Sequence, residues 1–193
     1  MKSGFQRYAD VFEKLGFPIR LNKEGGLSRA TISYGWLPGW KSGQRVIGIA
    51  PFARHAAKMY PLQKMEEVVK LLAADSRNQV VLFGSKNEAS AMARLAAENN
   101  NVHNLAGTMR FGDELKAISS LQVMISMDSA NMHLASLYGV PVVSVWGGTH
   151  PWLGFYGWGA GSSECRTNRF ALPAFFCIWQ QTLPGSWRGW LHG

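Results

Sequence analysis

Short apolar runs, each followed by a segment with helical spacing, constrain the fold of this chain most. Five such runs occur between Val46 and Val145, and most of them are rich in valine and isoleucine without polar alternation. A strand of that composition is buried on both faces, and helices between consecutive strands make right-handed crossovers that keep the strands parallel. The sequence therefore predicts an α/β fold, a Rossmann-like parallel sheet with flanking helices.

The predicted elements divide the chain into three parts. Residues 1–45 contain a helix over residues 5–16 and a linker rich in Gly, Ser and Trp, with at most a short strand over residues 30–34. Residues 46–159 form the Rossmann-like domain, and residues 160–193, whose aromatic residues follow no period, form an irregular tail. Within the domain we predict strands over residues 46–50, 80–83, 102–105, 123–126 and 142–145, and helices over residues 62–74, 87–99, 113–120 and 129–138.

Composition is that of a soluble domain with one core. The chain has 193 residues, of which 47% are hydrophobic and 17% charged. It contains no apolar run of the ~20 residues that cross a bilayer and no signal-peptide core, which favours a cytoplasmic location. Its two cysteines, Cys165 and Cys177, lack the spacing of a zinc site. The net charge of +8 comes from scattered basic residues, which disfavours nucleic acid as a partner.

The segment after the fourth predicted strand has the features of a phosphate-binding turn. Asp128 precedes the helix predicted over residues 129–138, so we expect its side chain to be the N-cap of that helix. Unpaired N–H groups and the positive dipole end of a helix suit the phosphates of a nucleotide placed above a parallel sheet. Ala130 keeps the first turn open, and His133 lies one turn beyond Ser129 on the same face. On its own, a histidine at such a position is more often part of the core.

Motifs of several other enzyme classes are missing from the sequence. It has no Gly-x-Gly-x-x-Gly loop, no Walker loop, no Gly-x-Ser-x-Gly turn and no Asp-x-Asp pair. This disfavours dehydrogenases, NTPases, hydrolases and metal-dependent glycosyltransferases. We therefore expect neither a metal nor a cofactor.

A combination of motifs between Val46 and Gly159 resembles glycosyltransferase family nine. The motifs are Asp-Ser-small-x-x-His-Leu-Ala from Asp128, then Gly-x-Pro-Val-Val, then a strand ending Trp-Gly-Gly-Thr-His-Pro at residues 146–151. The best-known members of this family are the ADP-heptose:lipopolysaccharide heptosyltransferases. The resemblance implies the C-terminal, donor-binding half of a GT-B glycosyltransferase.

The same resemblance implies a role for several side chains. Lys58, in the sequence Lys-Met-Tyr-Pro, would contact the donor pyrophosphate, and Arg54, where some heptosyltransferases have a threonine, would act on the phosphates through its charge. Glu88 would accept the ribose hydroxyls, and Met109 would border the adenine. Asp128 would reach the donor sugar.

The histidine and the small residue of the motif carry further implications. His133 would face the donor diphosphate, with Ser129 beside it in the turn. Ala130 replaces the glycine usual in heptosyltransferases, which narrows the space for backbone approach and leaves the identity of the donor open.

These roles have structural alternatives. Lys58 is otherwise a solvated loop lysine, and Glu88 a first-turn glutamate that complements the helix dipole. Met109 is otherwise an ordinary packing residue.

The resemblance implies a function for the full-length enzyme. It would transfer heptose from a nucleotide-diphosphate sugar, ADP-heptose in the best-known members, to the lipopolysaccharide core, with peripheral contact at the inner membrane. The catalytic base of such enzymes belongs to an N-terminal domain that this chain lacks, so we expect no catalytic residue here and no turnover by the fragment alone. Two alternatives stay open: a stand-alone nucleotide-binding module, and a nucleotide-sugar epimerase with the GT-B layout.

The tail carries a separate hypothesis. Codons for residues 179–183 can be chosen so that the next frame reads Gly-Asn-Lys-Pro-Cys, which resembles the tails of some relatives. A shifted reading frame and a natural tail are the two interpretations, and DNA sequencing through this stretch distinguishes them.

Overall fold

Five parallel strands form the body of the sheet in the computed structural model of the protein, which describes residues 2–22, 26–29, 33–159, 165–166 and 175–179. The strands are β1 (Arg45–Ala50), β2 (Asn78–Leu82), β3 (Val102–Asn104), β4 (Val123–Met127) and β5 (Val142–Trp146). They lie in the order β3-β2-β1-β4-β5. The predicted α/β class with a Rossmann-like parallel sheet is therefore confirmed.

Two antiparallel strands extend the sheet beyond β5, where the sequence predicts an irregular tail. They are β6 (Cys165–Arg166) and β7 (Phe175–Trp179), and β7 pairs with β5 along its whole length. The prediction of an irregular tail is wrong for these residues, because an edge strand such as β5 offers unpaired backbone groups that a following segment can satisfy without any sequence period. Other tail residues lie outside the described part of the chain.

The helices cover both faces of the sheet. They are α1 (Gly4–Lys14), α2 (Leu62–Ala73), α3 (Ala89–Ala96), α4 (Phe111–Ser120) and α5 (Ala130–Leu137). Residues Val46 and Ile47, neighbours on β1, belong to two different buried clusters, as alternation along a strand requires. One cluster includes α2 and α3, and the other includes α4 and α5. The sheet is therefore doubly wound, with a core on each side.

One local prediction needs correction, and another falls mostly on residues that the structure does not describe. The helix predicted over residues 87–99 begins with a 3-10 turn at Lys86–Glu88 and ends as α3 at Ala96. The short strand predicted over residues 30–34 falls mostly on residues 30–32, which lie outside the described residues, and Ser33 and Tyr34 are not in a strand. Across the described ranges, no helix is long and apolar enough to span a membrane.

The strand order fixes where a ligand fits best. The chain runs from β1 outward to β2 and β3, and then returns to the other side of β1 with β4 and β5. The loops that leave β1 and β4 therefore diverge over opposite faces and open a crevice at the carboxyl end of the sheet. Ligands of open α/β sheets bind at such a switch point.

Candidate functional site

A buried ion pair joins the loop after β1 to the end of β4 at this switch point. The Lys58 Nζ atom lies 2.7 Å from Oδ2 of Asp128, and the Asp128 side chain is only 5% exposed. The Thr149 hydroxyl, from the loop after β5, donates to the same Oδ2 atom at 2.8 Å. Three adjacent parallel strands thus each deliver one polar side chain to a single point. Both bonds reach the same carboxylate oxygen, Oδ2.

A close backbone contact holds Lys58 in place. Lys58 ends a 3-10 turn, Ala56–Lys58, whose Ala57 carbonyl accepts a hydrogen bond from the Gly148 N–H group at 2.6 Å. A Cβ atom on Gly147 would lie 2.5 Å from that same carbonyl oxygen, so only glycine fits there. The loop after β5 therefore packs directly on the turn that carries Lys58.

The N-terminus of α5 points into the same crevice, although its cap differs from the prediction. The N-cap is Ser129, and its side chain makes no capping hydrogen bond. The prediction that Asp128 caps this helix is wrong, because its carboxylate is held by Lys58 and Thr149, while the Ser129 hydroxyl pairs with Ser126 at 3.0 Å. Among the described residues, the first turn therefore has no capping side chain, and Ala130 is exposed beside it.

His133 lies on α5 within electrostatic reach of the ion pair. Burial lowers the pKa of its imidazole; Asp128 opposes that shift and Lys58 adds to it. The Nδ1 atom is buried without a hydrogen-bond partner. A neutral ring that keeps its proton on Nε2 is the form that this environment favours.

The other predicted residues lie around this point without joining it. Arg54 is exposed on the loop that carries Lys58. Glu88 lies at the carboxyl end of β2, and its Oε2 atom accepts from the Ser85 N–H group at 2.7 Å in a capping box. Met109 is partly buried against the core. Within the described ranges, no hydrogen bond links Glu88 or Met109 to the ion pair, and no three His, Cys, Asp or Glu residues group as a metal site.

Three side chains of this region were not predicted as site residues. Thr149 belongs to the strand-end motif of residues 146–151, and its place after a parallel strand was the signal that could have identified it. Phe155 is 41% exposed, and its ring centroid lies 5.5 Å from the Lys58 Nζ atom. Phe5, from α1, packs against His133, and nothing in the sequence indicated this contact.

Comparison with known proteins gives the family. The sequence model of Glycosyltransferase family 9 (heptosyltransferase) matches residues 6–173, most of the chain. The chain therefore belongs to glycosyltransferase family 9. This membership favours a glycosyltransferase over the epimerase alternative.

Individual relatives agree with that assignment. Lipopolysaccharide heptosyltransferase 2 of Escherichia coli (strain K12) is 31% identical over 112 residues, which cover 55% of this chain and 32% of the relative. The E. coli heptosyltransferase WaaC, solved with ADP, is 25% identical and superposes with a TM-score of 0.54 over 61% of this chain and 37% of that chain. A family 9 glycosyl transferase from Veillonella parvula DSM 2008 has a TM-score of 0.61 over 75% of this chain and 43% of that chain; at 20% identity it shows the shared fold. The chain spans about a third of the length of the curated relatives that it matches.

Proposed function

We propose that this chain is the donor-binding part of a glycosyltransferase and that it binds a nucleotide-diphosphate sugar at the carboxyl end of β1, β4 and β5. The observation that carries this proposal is the uncapped N-terminus of α5 beside the Lys58–Asp128–Thr149 cluster. Free helix amides and a lysine at a sheet switch point suit a phosphate group. The ADP found with the E. coli relative supports the same ligand class.

The charges of the cluster suggest how the diphosphate is held. Asp128 offsets the charge of Lys58, so the ion pair by itself offers little net attraction to an anion. The lysine ammonium has three donors, and its side chain is 24% exposed, so it can hold Asp128 and still donate to a phosphate oxygen. Exposed Arg54 and the α5 amides add positive potential.

The carboxylate suggests where the sugar lies. Lys58 and Thr149 fix the orientation of Asp128 through Oδ2, which leaves Oδ1 to accept from a sugar hydroxyl. The sugar would then stand over the end of β4, with its phosphates toward α5. Heptose is the sugar that the names of the relatives suggest.

This arrangement also suggests the chemical contribution of the chain. In sugar transfer, the bond between the anomeric carbon and the diphosphate oxygen breaks, and negative charge develops on the departing diphosphate. Lys58, the α5 amides and Arg54 would stabilise that charge, which is the largest contribution that a preorganised site makes. The base that deprotonates the acceptor would come from the remaining part of the full-length enzyme. With a lipopolysaccharide acceptor, the enzyme would act in the cytoplasm at the inner membrane.

Titration of the isotope-labelled protein with ADP tests the location of the site. We expect the largest amide shift changes in residues 54–58, 128–133 and 147–149, because the amides of the loop and of α5 meet there. The same changes are expected after exhaustive chelation, since cationic side chains and amides neutralise the diphosphate without a divalent ion. Changes confined to the amino end of the sheet, or loss of binding on chelation, would contradict the proposal.

Glu88→Ala separates a ribose contact from a helix cap. If Glu88 accepts the ribose hydroxyls, the variant binds ADP more weakly by about 1–3 kcal/mol and binds 2′,3′-dideoxy-ADP as the wild type does. Calorimetric titration with both ligands measures the difference. Ser85→Ala is the matched control, because it removes the other half of the capping box and leaves the carboxylate. Equal losses for both ligands in Glu88→Ala would leave Glu88 with the capping role alone.

A further inference from the structure

The first helix, α1, packs against the loop that follows β5, beside the proposed donor site, although it precedes the Rossmann-like domain in the chain. The Gly4 N–H group donates to the Gly154 carbonyl at 2.7 Å, and an Arg7 Nη2 atom donates to the Leu153 carbonyl at 2.8 Å. Gly154 has a φ of +85°, and a Cβ atom there would lie 2.5 Å from the Lys2 carbonyl oxygen. The start of α1 is therefore fitted to the loop that follows β5.

Phe5, on the docked helix α1, contacts two aromatic side chains at the candidate site. Its ring meets the His133 ring edge to face, with centroids 6.1 Å apart and planes at 79°. It meets the Trp158 ring in the same way, at 5.0 Å and 88°. Both distances lie in the range of favourable aromatic pairs. Phe5 thus stands between the histidine of α5 and the tryptophan of the loop after β5.

A serine ties the two partners of Phe5 together. The Ser136 hydroxyl donates to the His133 carbonyl at 2.7 Å and accepts from the backbone N–H group of Trp158 at 2.9 Å. A Cβ atom on Gly157 would lie 2.6 Å from the same hydroxyl oxygen, so the loop lies directly on α5. The wall that holds the His133 ring is therefore built from three separate parts of the chain.

The two ring nitrogens of His133 differ because of this wall. Nδ1 is buried and has no partner, so it has nothing to which it could donate. A neutral ring then carries its proton on the other nitrogen, Nε2, which is the atom that can donate to a ligand. A flip of the imidazole ring would turn its N–H group toward the apolar side chains, and the hydrogen bond to the ligand would be lost.

We propose that Phe5 is a positioning residue of the donor site, which fixes the His133 ring so that Nε2 faces the diphosphate. This inference rests on the proposed function. If Phe5 has this role, α1 contributes to the nucleotide site, and the affinity for the nucleotide sugar depends on the packing of α1 against the domain. The charged groups that face His133 are Asp128, from the end of β4, and Lys58, from the turn after β1.

Calorimetric titration of the 193-residue chain with ADP, combined with NMR titration of His133, tests this role. We expect Phe5→Ala to weaken ADP binding about tenfold, the scale of one hydrogen bond to a charged group. We also expect the pKa of His133 to rise toward its ordinary value, because Nδ1 becomes open to water. Tyr8→Ala is the matched control, since Tyr8 is 73% exposed on the same helix and should leave both quantities unchanged. Phe5→Leu, which keeps the apolar bulk without the ring, serves if Phe5→Ala fails to fold.

A double-mutant cycle separates positioning from general destabilisation. If Phe5 acts through His133, then Phe5→Ala has no further effect on ADP affinity in a His133→Ala background. An equal loss in both backgrounds, or an unchanged affinity in Phe5→Ala, would overturn the inference while wild-type binding upholds the proposed function. Absence of ADP binding in the wild type and in Tyr8→Ala would instead overturn the proposed function and this inference with it.

Discussion

Lys58→Ala is expected to destabilise the fold and to weaken every diphosphate nucleotide by a similar factor. Removal of the ammonium leaves the Asp128 carboxylate, which is 5% exposed, with the Thr149 hydroxyl as its partner among the described residues. We expect a loss of about 2–3 kcal/mol in the free energy of unfolding, less than for a fully enclosed pair because the Lys58 side chain is 24% exposed. Denaturant unfolding measures this loss.

The effect of Lys58→Ala on binding has its own signature. A point charge near the pyrophosphate does not distinguish bases or sugars, so the loss, about 1–3 kcal/mol, should be uniform across diphosphate nucleotides and should shrink as salt rises. Calorimetry at two ionic strengths measures it. An affinity that changes neither with the substitution nor with salt would place the phosphates elsewhere.

Two further variants isolate the ion pair. Lys58→Ala combined with Asp128→Asn removes the buried charge, so the double variant should be more stable than Lys58→Ala alone. Lys64→Ala breaks an exposed lysine–glutamate pair, with side chains 44% and 61% exposed, and should change stability by less than about 1 kcal/mol. Equal stability of Lys58→Ala and Lys64→Ala would contradict the role given to the buried pair.

Gly147→Ala is expected to disrupt the site from the opposite side. The added Cβ atom would lie 2.5 Å from the Ala57 carbonyl oxygen and 3.1 Å from the Lys58 carbonyl carbon, and backbone atoms cannot yield as a flexible side chain does. The 3-10 turn must then move, which should cost about 1–3 kcal/mol of stability and displace Lys58 from Asp128. Thermal unfolding and ADP titration measure both effects.

Gly112→Ala is the matched control for this substitution. Gly112 lies in α4, and a Cβ atom there meets nothing within 4 Å. The same chemical change should therefore raise stability slightly, by about 0.5–1 kcal/mol, through the helix propensity of alanine. If both variants behaved alike, the close approach of residue 147 to the turn would not matter.

The periodic elements could be predicted because their signals are local. Each apolar run of the domain lies within a residue or two of an observed strand, and four of the helices follow in the predicted order. A strand buried on both faces must be apolar throughout, and a helix must repeat its apolar face every three to four residues. Both patterns can therefore be recognised within a short segment of the sequence. The same reasoning placed Lys58, Asp128 and His133 near the carboxyl end of the sheet, because parallel strands bring their ends together.

The roles of particular side chains depend on contacts between residues that are far apart in the sequence. The sequence predicted Asp128 as the N-cap of the following helix, but the carboxylate instead pairs with Lys58, which is 70 positions away in the chain. The position of Thr149 after β5 indicated only the edge of the sheet, not the bond of its hydroxyl to Asp128, and nothing in the sequence indicated that β7 would extend the sheet beside β5.

What the sequence by itself determined is the Rossmann-like parallel sheet with flanking helices and the edge of the sheet at which its polar residues gather. Only the tertiary structure decided which of those residues meet, and that Phe5 of α1 closes the wall around His133. The physical reason is range: backbone periodicity and burial act over a few residues, whereas an ion pair, a close glycine contact or an aromatic pair forms only after distant segments have packed.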